Sequence, residues 1–137
     1  MKKQAILCVD DEKIILFSLI QELKNSFGDR FMYEKAMNAK QAFEVIDELV
    51  SAGIEIILII SDWLMPGIKG DEFLEIVQES HPGIKAIILT GHADEEVLAR
   101  FKRNSSVCAV LPKPWNADTL KTMIIDCCLD TGTRDNP

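Results

Sequence analysis

The sequence is poor in the features that mark several large protein classes. It has no apolar run near the roughly 20 residues of a membrane span; the longest candidate, Ile56 to Ile60, is strand-sized. Met1-Lys2-Lys3 is followed by only a few apolar residues before Asp10 and Asp11 interrupt, so no secretory signal is expected and the chain reads as cytoplasmic, with no membrane partner. Basic residues are the minority, 15 against 22 acidic, for a formal charge of −7. That balance argues against direct nucleic-acid binding through this domain. The four cysteines, Cys8, Cys108, Cys127 and Cys128, include no CxxC pairs and have no nearby histidine, which disfavours zinc. They are expected as buried thiols, with the vicinal Cys127-Cys128 pair a poor disulfide. There is no glycine-rich phosphate loop, no Ser/His/Asp order and no metal-binding histidine pair.

What is present suits one soluble domain. The chain has 137 residues, 47% of them hydrophobic and 27% charged. Residues 1–130 read as that domain and 131–137 as a polar tail or the start of a linker. Short β-branched runs alternate with segments of helical period. Strands are expected over 4–9, 31–37, 55–61, 84–89 and 107–111. Helices are expected over 12–27, 38–50, 71–80, 93–103 and 116–128, with Asn38 and Asn116 as caps and Gly53 closing the second unit. Ile15, Leu19, Leu23 and Phe27 form the apolar stripe of the first helix, with Leu16 and Phe17 off it. The near-continuous Ile/Leu run before Asp62 is the mark of a strand buried on both faces. The pattern is (βα)₅, an α/β fold with a doubly wound five-stranded parallel sheet.

Ligands in such sheets sit at the carboxyl ends of the strands, where strand order reverses. Asp10 and Asp11 follow the first strand, Asp62 the third, Thr90 the fourth and Lys113 the fifth. Singly, each has a commoner use: a turn aspartate, a turn threonine, a solvated lysine. Jointly they place three carboxylates, a hydroxyl and an ammonium in one pocket. Three carboxylates stay ionised together only with compensating positive charge. Lys113 supplies one unit, and a hard divalent cation such as Mg²⁺ suits the rest, with Mn²⁺ as a substitute. A carboxylate is a competent nucleophile towards a phosphoryl group, and a cation, an ammonium and a hydroxyl match the charge of its transfer.

The motifs Val9-Asp10-Asp11-Glu12, Ser61-Asp62-Trp63-Leu64-Met65-Pro66 with Gly70, Ile88-Leu89-Thr90-Gly91-His92 and Leu111-Pro112-Lys113-Pro114-Trp115 resemble the receiver domains of two-component response regulators. The resemblance covers about residues 4 to 128 and implies a flavodoxin-like fold. It implies Asp62 as phosphoacceptor, and metal held by Asp11, Asp62 and the Leu64 backbone carbonyl, with Asp10 acting mostly through water. It further implies Thr90 and Lys113 on the phosphoryl group, and a cis bond before Pro114. The implied donor is a histidine kinase or phosphotransfer protein. The implied output is an effector domain, a downstream protein or a homodimer. Such a domain catalyses its own phosphorylation and dephosphorylation and is no free-standing enzyme.

The pattern departs from the family at Val110, where an aromatic ring usually swings inward. Leu64 and His92 occupy the positions that tune phosphoryl lifetime. Leu64 offers nothing to orient water. His92 reads either as a contact to the phosphoryl group or a partner, or as an exposed loop residue; His81 reads as a helix-end residue. Trp63 stands where it could cover the pocket, and Trp115 reads as partly buried packing. Two other classes stay open. One is a constitutive interaction domain without the switch, suggested by Val110. The other is an aspartate-nucleophile hydrolase, disfavoured because Leu64 replaces its usual second aspartate.

Overall fold

A computed structural model describes residues 3–65, 67–91, 98–99 and 103–129. Five strands, β1 (Gln4–Val9), β2 (Met32–Ala36), β3 (Glu55–Asp62), β4 (Lys85–Thr90) and β5 (Val107–Pro112), form one sheet. The helices bounded within the described residues are α1 (Lys13–Phe27), α2 (Ala39–Ser51), α3 (Gly70–Ser80) and α4 (Ala117–Ile124). A 3₁₀ turn (Gly28–Arg30) follows α1, and a π-helical turn (Ile125–Leu129) continues α4. All pairings are parallel, in the order β2-β1-β3-β4-β5. The expected α/β class and parallel sheet are therefore present. Most of the helix expected over 93–103, together with Pro66, His92 and the tail 131–137, lies outside the described residues.

The sheet sorts its side chains by the two-residue period of a strand. Ala5, Leu7 and Val9 of β1, with Ile59 and Ile88, face one core with Ala42 and Ile46 of α2 and Phe73, Leu74 and Val77 of α3. Ile6 and Cys8, with Leu58, Ile60, Ile87 and Leu89, face the other with Leu16, Leu19 and Leu23 of α1 and Leu120 and Ile124 of α4. Apolar side chains on both faces explain the unbroken Ile/Leu run of β3. The Phe43 and Phe73 rings meet at 5.3 Å and join α2 to α3.

Both expected caps form. Asn38 accepts the Gln41 N–H at 2.8 Å, and the Gln41 side chain reaches back to accept the N–H of Met37, the residue before the cap, at 2.9 Å. Asn116 accepts the Thr119 N–H at 3.0 Å. Gly53 closes the α2 unit at φ +77°, a conformation costly for residues with a Cβ.

Three expectations change. Leu16, expected off the apolar stripe of α1, is buried with Leu19 and Leu23, while Ile15 is only half-buried; Phe17 is exposed off the stripe, as expected. Asp62 and Thr90 close their strands rather than following them. The cysteines are not all buried thiols: Cys108 on β5 is bonded to Cys127, leaving Cys8 buried and Cys128 half-buried. Neither cysteine signals this pairing in sequence, because β5 and the terminal helical segment meet only in the folded chain.

Candidate functional site

β1 lies between β2 and β3: the chain leaves it to one side for β2 and returns on the other for β3. Strand order thus reverses between β1 and β3, which opens a crevice at their carboxyl ends. Asp10 and Asp11 stand on one side of it and Asp62 on the other. One carboxylate oxygen from each lies within 4.8 Å of the other two. Asp10 and Asp62 are buried, Asp10 the more deeply, and Asp11 is exposed to solvent.

Lys113 enters from β5. Its Nζ donates to Asp10 Oδ2 at 2.6 Å and lies 3.2 Å from Asp62 Oδ1. The Lys113 N–H donates to the Thr90 carbonyl at 2.9 Å, fastening the start of the loop after β5 to the end of β4. The Lys113–Pro114 bond is cis, as the resemblance implied. Asp10 Oδ1 also accepts the Glu12 N–H at 2.9 Å, which fixes the carboxylate at the turn into α1. Asp62 pairs in register with Leu89, so buried Thr90 stands one residue further along the neighbouring strand.

Burial is the largest influence on Asp62 and pushes its carboxyl above the usual range; the Asp10 charge pushes the same way. Lys113 and the Leu64 N–H pull it back without reversing the direction. Burial works to lower the Lys113 pKa, but its hydrogen bond to Asp10 and the charges of Asp62 and Asp10 outweigh this and raise it. Three carboxylates against one ammonium leave two negative charges on a small all-oxygen cluster. That donor set fits a hard divalent cation.

The loop after Asp62 is held tightly. The Gly70 N–H donates to the Trp63 carbonyl at 2.8 Å, and Leu64 and Lys69 form an isolated bridge. A Cβ on Gly70 would stand 3.0 Å from the Asp62 carbonyl oxygen and 3.2 Å from Trp63 Cα. Glycine at this position therefore lets α3 begin against the Asp62–Trp63 backbone.

Of the other expected positions, Leu64 projects its side chain into solvent, 62% exposed. Val110 is half-buried and packs towards the α2/α3 core rather than joining the carboxylates. His92 lies outside the described residues. Trp63 is buried in the α2/α3 core, so its ring is packing and not a cover for the pocket. Trp115 is half-buried against the α1/α4 core, and its Nε1 donates to Glu22. The resemblance also implied an ion pair between Lys113 and Asp62, and it is present; the closer Asp10–Lys113 pair and the Gly70 contact carry no sequence signal of their own.

Similarity to known proteins agrees with this geometry. Residues 6–125 match the response regulator receiver domain family, and the chain belongs to that family. It is 29% identical over 119 residues to the sensor kinase CckA of Brucella abortus, covering 87% of this chain and 12% of that protein. It is likewise 29% identical over 119 residues to the hydrogenase transcriptional regulatory protein HoxA of Cupriavidus necator, covering 87% of this chain and 23% of that one. The chain thus spans at most a quarter of the length of these relatives. Among solved structures, the CheY-like response regulator receiver domain protein of Methanospirillum hungatei superposes with a TM-score of 0.79 at 29% identity, over 99% of this chain and 100% of that one. The protein is a receiver domain of the two-component response regulators. No described helix is long and apolar enough to cross a membrane.

Proposed function

We propose that Asp62 accepts a phosphoryl group in a Mg²⁺-dependent reaction and that the modified domain changes its contacts with a partner. The observation that carries this reading is the convergence of Asp10, Asp11, Asp62 and Lys113 at the strand-order switch, with buried Thr90 on the adjacent strand end. An Asp62 carboxylate oxygen attacks phosphorus, the bond to the donor's leaving group breaks, and an aspartyl phosphate results. Lys113 turns its ammonium to the new oxygens while keeping Asp10, and the Thr90 hydroxyl donates to one of them. Asp11, Asp62 and the Leu64 carbonyl would hold the Mg²⁺, with Asp10 acting through water. When bound, the ion neutralises carboxylate and phosphoryl charge.

The donor is a histidine kinase or phosphotransfer protein, with small acyl phosphates as substitutes. The chain acts on itself and is not an enzyme for a separate substrate. Its work is done in the cytoplasm, and the recipient of the signal is an effector domain, a downstream protein or a second copy. Val110 offers no ring to swing inward, so the response passes through another packing change around Thr90 and β5. Val110 also supports a second reading, an interaction domain that binds without phosphorylation. Incubation with acetyl phosphate and Mg²⁺, followed by intact mass, tests the two: an adduct that Asp62→Asn abolishes supports the first. No adduct from either acetyl phosphate or a phosphohistidine donor leaves the second.

A further inference from the structure

Cys108 and Cys127 are joined, 19 positions apart in sequence and 5.9 Å apart at Cα, across the outer side of the edge strand β5. That Cα separation is ordinary for a disulfide. Each cysteine sits on a local irregularity. In the β4–β5 ladder Val107 pairs with Ala86 and Ala109 with the next residue, Ile87, so Cys108 is the extra residue of a bulge. Bulges re-aim a side chain, and this one leaves Cys108 exposed at the sheet margin. Cys127 lies in the π-helical turn Ile125–Leu129, where the wider turn shifts side chains from the register of α4. The two departures from regular geometry meet at one bond.

The remaining thiols are poor competitors. Cys8 is buried within β1. Cys128 is turned to the Ile57 carbonyl at 3.7 Å, and burial pushes its thiol up to about 11. A thiol so seldom ionised exchanges slowly.

We infer that Cys108 and Cys127 form a reversible redox modification site, oxidised by a low-molecular-weight disulfide such as glutathione disulfide, which fastens the terminal helical segment to β5. The exposed Cys108 thiolate attacks one sulfur of the small disulfide, giving a mixed disulfide and releasing one thiol. The Cys127 thiolate then attacks the Cys108 sulfur, the mixed disulfide breaks, and a second thiol leaves. Two protein thiols lose two protons and two electrons, and the small disulfide is reduced to two thiols. The site shares no residue with the acidic crevice, so its oxidation and Asp62 chemistry are separately measurable.

The test is thiol counting on the native chain equilibrated in glutathione buffers from fully reduced to fully oxidised, then acid-quenched, alkylated in denaturant and weighed. The reduced chain takes four adducts, one for each cysteine. The oxidised chain takes two fewer, and digestion yields a peptide linking Cys108 to Cys127. Cys108→Ser and Cys127→Ser abolish the link, and Cys128→Ser keeps it. Oxidation raises the melting temperature by roughly 10 °C and slows amide exchange over residues 117–129. Four adducts in every buffer, a link through Cys128, a bond that persists in fully reduced buffer, or unchanged exchange over 117–129 would each overturn the inference.

Discussion

The Lys113 ammonium lies closer to Asp10, at 2.6 Å, than to Asp62, at 3.2 Å, and joins positions 103 residues apart. Asp10 is the more deeply buried of the two carboxylates. Lys113 is thus a counter-ion to both carboxylates in the unmodified chain, and this duty is separable by experiment from its proposed contact with the phosphoryl group.

Lys113→Met leaves a buried Asp10 without its cation. Removing one partner of a buried pair costs about 3 kcal/mol. In EDTA the variant is expected to lose that much in urea unfolding. Mg²⁺ then stabilises it more than it stabilises the native chain, since the cation replaces missing charge. Equal Mg²⁺ effects on both proteins would count against a shared site.

Asp62→Asn is expected to stabilise the metal-free chain. The folded-state pKa of Asp62 is raised, so the fold binds that proton more tightly than the unfolded chain does. The ionised carboxylate therefore detracts from stability at neutral pH, and the loss fades as pH falls through the raised pKa. In EDTA the variant melts above the native chain at pH 7.5, and the gap narrows towards pH about 4. A variant less stable than the native chain throughout that range contradicts this account.

Adding Mg²⁺ reverses the order. A ligand that binds only the folded chain raises its melting temperature by mass action. Millimolar Mg²⁺ raises that of the native chain and does little for Asp11→Asn or Asp62→Asn. Titration followed by Trp63 and Trp115 fluorescence gives the same ranking.

Gly70→Ala places a methyl group 3.0 Å from the Asp62 carbonyl oxygen, so the acceptor loop or the start of α3 shifts. The strain costs about 1–3 kcal/mol. Phosphorylation slows as well, although Gly70 contributes no side chain to the crevice. A variant with native stability and native rate would show that the contact is soft.

Much of this was legible in the sequence because the signals are local. The Ile/Leu run of β3 announced a strand buried on both faces, and Asn38 and Asn116 announced caps through their own side chains. Strand-end placement gathered Asp10, Asp11, Asp62 and Lys113 from the topology alone. Other features depend on contacts between distant segments. Leu16 replaced Ile15 in the α1 stripe because both stand one helical step before Leu19, and only packing against the sheet chooses between them. Trp63 turned into the core, and Cys108 met Cys127 through a bulge and a π-turn, neither of which has a residue signature.

The most direct measurement is the intact mass of the native chain and Asp62→Asn after incubation with acetyl phosphate and Mg²⁺, with EDTA as control. A single phosphoryl adduct is expected on the native chain, one that needs Mg²⁺ and is absent from the variant. An adduct of equal yield on Asp62→Asn, or one indifferent to EDTA, would contradict it.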